Sequence, residues 1–269
     1  MQTGDFNVGF DIIEVEFHFY LLFTILVRLK RFKEMSSKKP FGTLLLDIDE
    51  CLIHAYEVAK HPTIVERVNK RCAKNPALRQ RKFSIVLNDG EEFVVIKRPH
   101  LDKLLSCAFR LFEHVVVWSA GRKDYVNLVV SYLFTHQHQH PAAVFSRDEC
   151  IYITEKDYHK PLSALKKKHS DLLNRRTLLF VDDKDDNYRE DPEHGICIPQ
   201  FKPSEENPFN EDDDMLLRFI EWLMQPSVRI AHDVRTLDKS EVFQTIYSGR
   251  YADLMASRKR FLFTPLSST

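Results

Sequence analysis

Asp47, Asp49, Ser119, Asp182 and Asp183 each stand at the end of a short apolar run: TLLLDID at 43–49, VVVWSA at 115–120 and LLFVDD at 178–183. A carboxylate is ionised at neutral pH, with a reference pKa of about 3.9. It can attack phosphorus directly and form an acyl phosphate. An anion attacking an anion needs charge relief: at about 4 Å two unit charges repel by about 4 kcal/mol at an effective dielectric of 20. Mg2+ held by carboxylates and by the phosphate supplies that relief. The second aspartate of a D-x-D pair would protonate the leaving oxygen and later take a proton from water. That role asks for a pKa raised by burial or by the neighbouring carboxylate. The alternative for D-I-D-E is an acidic turn after a strand.

The elements that must position these groups are strands. A run of aliphatic residues apolar at every position suits a strand buried on both faces of a parallel sheet. In such sheets ligands bind outside the carboxyl ends of the strands, so the five residues would share one edge. Residues 36–40 (SSKKP) read as a linker into the first strand. Asn88-Asp89-Gly90 between two β-rich runs predicts a hairpin over 83–97. Pro62 and Pro76 interrupt any long helix in the basic segment 57–82, which reads as an insertion rather than core. Helical spacing predicts helices from Leu101 to Phe112 and from about Lys123 to Phe134. Residues 143–153 read as a strand and bend, and 160–173 as a helix. Further helices are expected at 213–224, ended by Pro226, and near 239–249. EDDD at 211–214 fits the helix N-terminus, where anions complement the dipole. The result is an α/β fold, with a mainly parallel central sheet flanked by helices and a small β-hairpin insertion after the first strand. An N-terminal extension (1–40), the main domain (41–250, insertion about 57–97) and a C-terminal tail (251–269) divide the chain.

Composition narrows the class. With 269 residues, 43% hydrophobic and 29% charged, the chain suits one generous domain or two small ones. Basic and acidic residues balance at 39 each, so long-range steering to nucleic acid is not expected. Lys166–Lys168 reads as a solvated helix end. Five scattered cysteines without a C-x-x-C pair indicate neither a zinc knuckle nor a redox motif, and a reducing compartment is the simpler reading. HQHQH at 136–140 reads as a surface loop. Residues 17–27 (FHFYLLFTILV) are too few to cross a bilayer core, which needs about 20. The basic stretch follows that run, the reverse of a secretory signal. A structural strand or helix, an interfacial or membrane-anchoring element, and a mistranslated or atypical leader are the three readings of it.

The string LLLDIDECLIH resembles the L-D-L-D-E-T-L-[IV]-H motif of the carboxy-terminal-domain phosphatases, the NLI-interacting-factor-like family of the haloacid dehalogenase superfamily. IKRPHLDKLL, FEHVVVWSAGRKDYV, SRDECIYITEKDYHKPLSAL and LLFVDDKDDNYREDPEHGICIPQF resemble the later motifs of the same family, in order, over about residues 41–250. The resemblance implies a haloacid dehalogenase-like Rossmannoid fold. It implies a Mg2+-dependent phosphoserine/phosphothreonine protein phosphatase with an aspartyl-phosphate intermediate, acting on a phosphoprotein or phosphopeptide. By position Asp47 matches the nucleophile and a metal ligand, and Asp49 the general acid/base, with its carbonyl a metal ligand. Ser119 matches the hydroxyl that holds the phosphoryl group. Lys160 matches the lysine that steadies nucleophile and phosphoryl group. Asp182 and Asp183 match the metal-binding acidic pair, with Asp186 a rival ligand. Arg98 and Arg147 match positions that are either structural or near the phosphate.

Four positions depart from the pattern: Cys51 for a hydroxyl or Val, Pro161 for Asp, Lys184 for Ser and His194 for Asn. They leave an alternative in view, a weak or inactive scaffold on the same fold, as in mitochondrial import-receptor relatives. A small-molecule phosphatase is a further reading. Relatives imply an intracellular setting, nucleus or cytoplasm first and mitochondrion or membrane surface second, with a larger protein assembly as a partner.

Overall fold

The computed structural model describes residues 39–135, 139–154, 157–166, 168–174, 176–240 and 242–243. The apolar stretch 17–27, residues 136–138 of the histidine-rich run and most of the helix expected at 239–249 lie outside them. Among the described residues no helix is long and apolar enough to cross a membrane.

In chain order, β1 (Phe41–Leu46) leads to β2 (Ile53–Glu57), α1 (Pro62–Lys74), the single turn α2 (Pro76–Arg79), β3 (Lys82–Val86) and β4 (Glu92–Lys97). Then come α3 (Leu101–Leu111), β5 (Phe112–Trp118), α4 (Lys123–Phe134), β6 (Ala143–Phe145), β7 (Ile151–Thr154) and β8 (Asp157–His159). The short α5 (Leu162–Leu165), β9 (Leu178–Asp182), β10 (Gly195–Cys197), α6 (Met215–Leu223) and α7 (Pro226–Arg229) complete it.

The central sheet has the order β10-β9-β1-β5-β6 with every pair parallel. The chain leaves β1 for β5 and β6 on one side and returns to β9 and β10 on the other. The order therefore reverses beside β1, which opens a crevice at its carboxyl end. Alternate residues of β1 feed two cores. Leu44 and Leu46 pack with Leu104 and Leu105 of α3, Val126 and Val129 of α4 and Phe219 of α6. Leu45 packs with Val116, Trp118, Phe145 and Phe180 on the opposite face. That is why the run is apolar at every position. Each such side chain, fully buried, contributes about 1.5–3 kcal/mol relative to exposure.

Between β1 and α3 lies an antiparallel sheet of order β2-β4-β3. The hairpin at Asn88–Gly90 forms, with Gly90 at φ 87, a conformation glycine adopts freely. It carries β2 as a third strand. The segment 57–82 is not peripheral to packing. Pro62 opens α1 rather than interrupting it, since proline suits a helix's first position. Ile64, Val65, Val68 and Cys72 then build a separate core with Tyr56, Ile96, Phe201 and Phe209.

One other expectation changes. Residues 160–173 form no continuous helix: α5 is one turn, followed by a 3-10 turn at Ser170–Leu172. Leu162, Leu165 and Leu172 reach the same core from these separate turns, and the lysines between them offer nothing apolar to bury. The acidic run 211–214 leads into α6 as expected, with Asp214 at its N-cap and Asp213 Oδ1 accepting from Met215 N–H at 3.3 Å, and it also makes ion pairs: Glu211 with Arg71, Asp213 with Arg98, and Asp214 with Arg218 at 2.8 Å.

Candidate active site

The loop after β1 is built from backbone contacts. The Asp47 N–H donates to Val181 O at 3.0 Å, extending the pairing with β9. The Ile48 carbonyl accepts from the N–H groups of Cys51, Leu52 and Ile53 at 3.3, 2.8 and 3.1 Å. Glu50 takes φ 59, uncommon for a residue with a side chain, and its carbonyl accepts from Phe201 N–H at 2.6 Å. Arg98 locks this loop. Its Nη1 donates to Cys51 O at 3.0 Å, its Nη2 to Pro199 O at 2.8 Å, and Nε and Nη2 hold Asp213 at 2.8 and 2.9 Å. Arg98 is 1% exposed and each guanidinium nitrogen has a protein partner.

Asp47, Asp182 and Asp183 come together, with one carboxylate oxygen of each within 4.8 Å of the others. Lys160, delivered by the end of β8, donates from Nζ to Asp47 Oδ1 and to Asp182 Oδ2, the latter at 2.8 Å. Asp182 Oδ1 accepts from Lys184 N–H at 3.0 Å and from Asn187 Nδ2 at 2.8 Å. Both oxygens of Asp182 are thus already held by protein. Asp183 accepts from Gln200 Nε2 at 2.7 Å on Oδ2. Asp186 is exposed and outside this cluster.

Asp49 has different company. Its Oδ1 accepts from the Tyr125 hydroxyl at 2.5 Å and its Oδ2 from Ser119 Oγ at 3.3 Å. Ser119 is buried at the end of β5, and its Oγ accepts from Gly121 N–H at 3.0 Å. Arg147 is exposed beside the same turn: Nε donates to Ala120 O at 2.8 Å and the guanidinium lies 4.8 Å from the Tyr158 ring centroid.

Electrostatics follow from burial. Burial pushes Asp47 well above the ordinary carboxylate range, with Asp182 and Asp49 adding to the rise and Lys160 opposing it. Burial also raises Asp49, against the hydrogen bonds from Tyr125 and Ser119. Burial alone would lower Lys160, but the Asp182 and Asp47 carboxylates outweigh it and hold the ammonium charged. Asp183 is raised by burial and by Asp182.

A sequence model described as NLI interacting factor-like phosphatase matches residues 42–235. The chain belongs to that family. It is 26% identical over 232 residues to ubiquitin-like domain-containing CTD phosphatase 1 of Danio rerio, covering 83% of this chain and 62% of that protein. It is 24% identical over 206 residues to nuclear envelope morphology protein 1 of Schizosaccharomyces pombe, covering 76% and 36% respectively. Among solved structures, a fission yeast RNA polymerase II CTD phosphatase, Fcp1, bound to beryllium fluoride matches with TM-score 0.48 and 17% identity, over 75% of this chain and 55% of that one. The chain spans about 62% of the length of the CTD phosphatase relatives it matches.

The family's motif positions now have surroundings. Cys51 is fully buried, and burial pushes its thiol well up, so it stays a neutral filler. Pro161 sits just before α5 with extended backbone, so its missing N–H falls where a helix start has no use for one. Lys184 is exposed, and its N–H caps Asp182. His194 is buried, with Nδ1 3.0 Å from Leu178 O. The oxygen-only set of Asp47, Asp182 and Asp183, with one lysine for several carboxylates, fits a hard divalent cation. Tyr125, Asn187, Gln200 and Asp213 were not anticipated as parts of the site. Tyr125 lay inside the SAGRKDYV motif, and its spacing of six from Ser119 was the available signal.

Proposed function

We propose that this chain is a Mg2+-dependent phosphoserine/phosphothreonine protein phosphatase working through a phosphorylated Asp47. The observation that carries the reading is the separation of two nearby carboxylates. Asp47 is paired with a charged lysine, whereas the Asp49 carboxyl accepts hydrogen bonds from two hydroxyls, those of Tyr125 and Ser119. Titratable groups pushed into different environments mark separate acid–base roles.

In the first step an Asp47 carboxylate oxygen attacks phosphorus and the bond from phosphorus to the serine or threonine oxygen breaks. The electron pair stays on that oxygen, which takes the proton of Asp49. In the second step water attacks phosphorus and gives a proton to the Asp49 carboxylate. The phosphorus–Asp47 bond breaks, which restores the Asp47 carboxylate and releases inorganic phosphate. Lys160 holds Asp47 in place and stabilises negative charge in both transition states, and Ser119 offers a hydrogen bond to the phosphoryl oxygens. Mg2+, held by Asp47, Asp183 and the Asp49 carbonyl beside Asp182, would supply further charge neutralisation.

Arg147, exposed next to Ser119, is the substrate-binding arginine of this reading. The small size of the three-stranded insertion supports a peptide rather than a small metabolite as substrate. The scaffold alternative has no use for Asp49 hydrogen-bonded to Ser119 alongside Lys160 bonded to Asp47 and Asp182. The test is hydrolysis of p-nitrophenyl phosphate with Mg2+. Asp47→Asn is expected to abolish turnover. Absence of any Asp47-dependent turnover on phosphomonoesters would overturn the reading.

A further inference from the structure

We propose that Tyr125 is a positioning residue that aims the Asp49 carboxyl at the leaving oxygen. The inference rests on the phosphatase reading and deepens it. The Tyr125 hydroxyl donates to Asp49 Oδ1 at 2.5 Å, and Ser119 Oγ meets Oδ2 at the longer distance of 3.3 Å. With Oδ1 engaged by the short bond from the phenol, Oδ2 is the oxygen left to pass a proton. That is the oxygen beside Ser119, the residue expected to hold the phosphoryl group.

The ring is held in its place from two directions. Phe93 of β4 meets it edge-on, with centroids 5.5 Å apart. Gly121 leaves room for it, since a Cβ there would lie 3.0 Å from Tyr125 Cδ1 and 3.1 Å from Ser119 Oγ. The start of α4 is tied to the same sheet through Arg122. Its guanidinium reaches Asp89 at 2.7 Å and Glu91 at 3.2 Å at the hairpin tip.

The chemical consequence depends on the leaving group. When the bond from phosphorus to a serine oxygen breaks, the electron pair is left on an alkoxide that needs the Asp49 proton. A nitrophenolate leaves without it. A residue that only aims the acid should therefore matter for one substrate class and much less for the other. A residue that merely supports the fold should affect both alike.

The experiment compares kcat/KM of wild type and Tyr125→Phe on a phosphoserine peptide and on p-nitrophenyl phosphate with Mg2+, Asp47→Asn serving as the blank and melting temperatures checking the fold. General acid catalysis contributes about 10²–10⁴-fold. The peptide value is expected to fall at least about ten-fold more than the nitrophenyl value. If Tyr125→Phe does not fold, Phe93→Leu decides, with the same selective loss expected at smaller size. Equal losses on both substrates, or none on either, in a folded variant overturn the inference and leave the phosphatase reading standing. No Asp47-dependent turnover in the wild type overturns both.

Discussion

Asp47 and Asp49 are two positions apart, yet the loop gives them different partners: a lysine and carboxylates for one, a phenol and a serine for the other. Burial raises Asp49, so its protonated form survives to higher pH than an ordinary aspartate's. The sign for activity follows. The reaction with an alkyl phosphate needs the acid, and kcat/KM on a phosphoserine peptide should fall as pH rises through the raised Asp49 value. Asp49→Asn is expected to remove that alkaline limb together with most of the rate, which a pH–rate profile checks. Arg98 makes a different kind of prediction. Its ion pair with Asp213 is buried, and removing one partner strands a charge, at a cost of about 3–5 kcal/mol. Arg98→Ala should lose about that much in urea unfolding. The strand-end residues were legible in the sequence because each follows an unbroken apolar run. Lys160 was legible only through the family motif, because it follows a two-stranded hairpin with no such run before it. Asp213 was not legible as the partner of Arg98, because a contact across 115 residues leaves no local pattern.

At the scale of elements, the parallel sheet was readable because strands buried on both faces must be apolar throughout. The second sheet was under-read. Its strand β2, IHAYE, mixes buried and partly exposed positions and gives no clean alternation. Pro62 was read as a break although proline's fixed φ suits the start of α1. The supposed helix at 160–173 failed because its apolar residues fall on two short turns. The packing of β10 supports one test. A Cβ on Gly195 would lie 2.0 Å from Tyr188 Cε2, and that ring is buried against Phe180 with centroids 5.7 Å apart. Gly195→Ala should therefore destabilise by about 1–3 kcal/mol, seen as a lower urea midpoint with an unchanged slope. A variant as stable as the wild type would contradict the packing described for this edge.

For the whole molecule, the acidic cluster sits where the order of the parallel sheet reverses, with two cores below it and the antiparallel sheet beside it. In the phosphatase reading, Asp47, Asp182 and Asp183, gathered by the fold with Lys160 bonded to only two of them, would bind a divalent cation in the folded state and not in the unfolded chain. At about 100 times its dissociation constant a ligand specific to the folded state stabilises by about 2.7 kcal/mol. Mg2+ should raise the melting temperature, and Asp183→Asn should remove most of the rise; an equal rise in that variant would place the ion elsewhere. The central claim is the covalent role of Asp47. It is tested most directly by acid-quenching the protein during turnover of a phosphomonoester with Mg2+ and locating the phosphoryl group by peptide mass spectrometry. The account predicts a phosphoryl group on Asp47, absent from Asp47→Asn. Turnover with no label, or with the label on another residue, would contradict it.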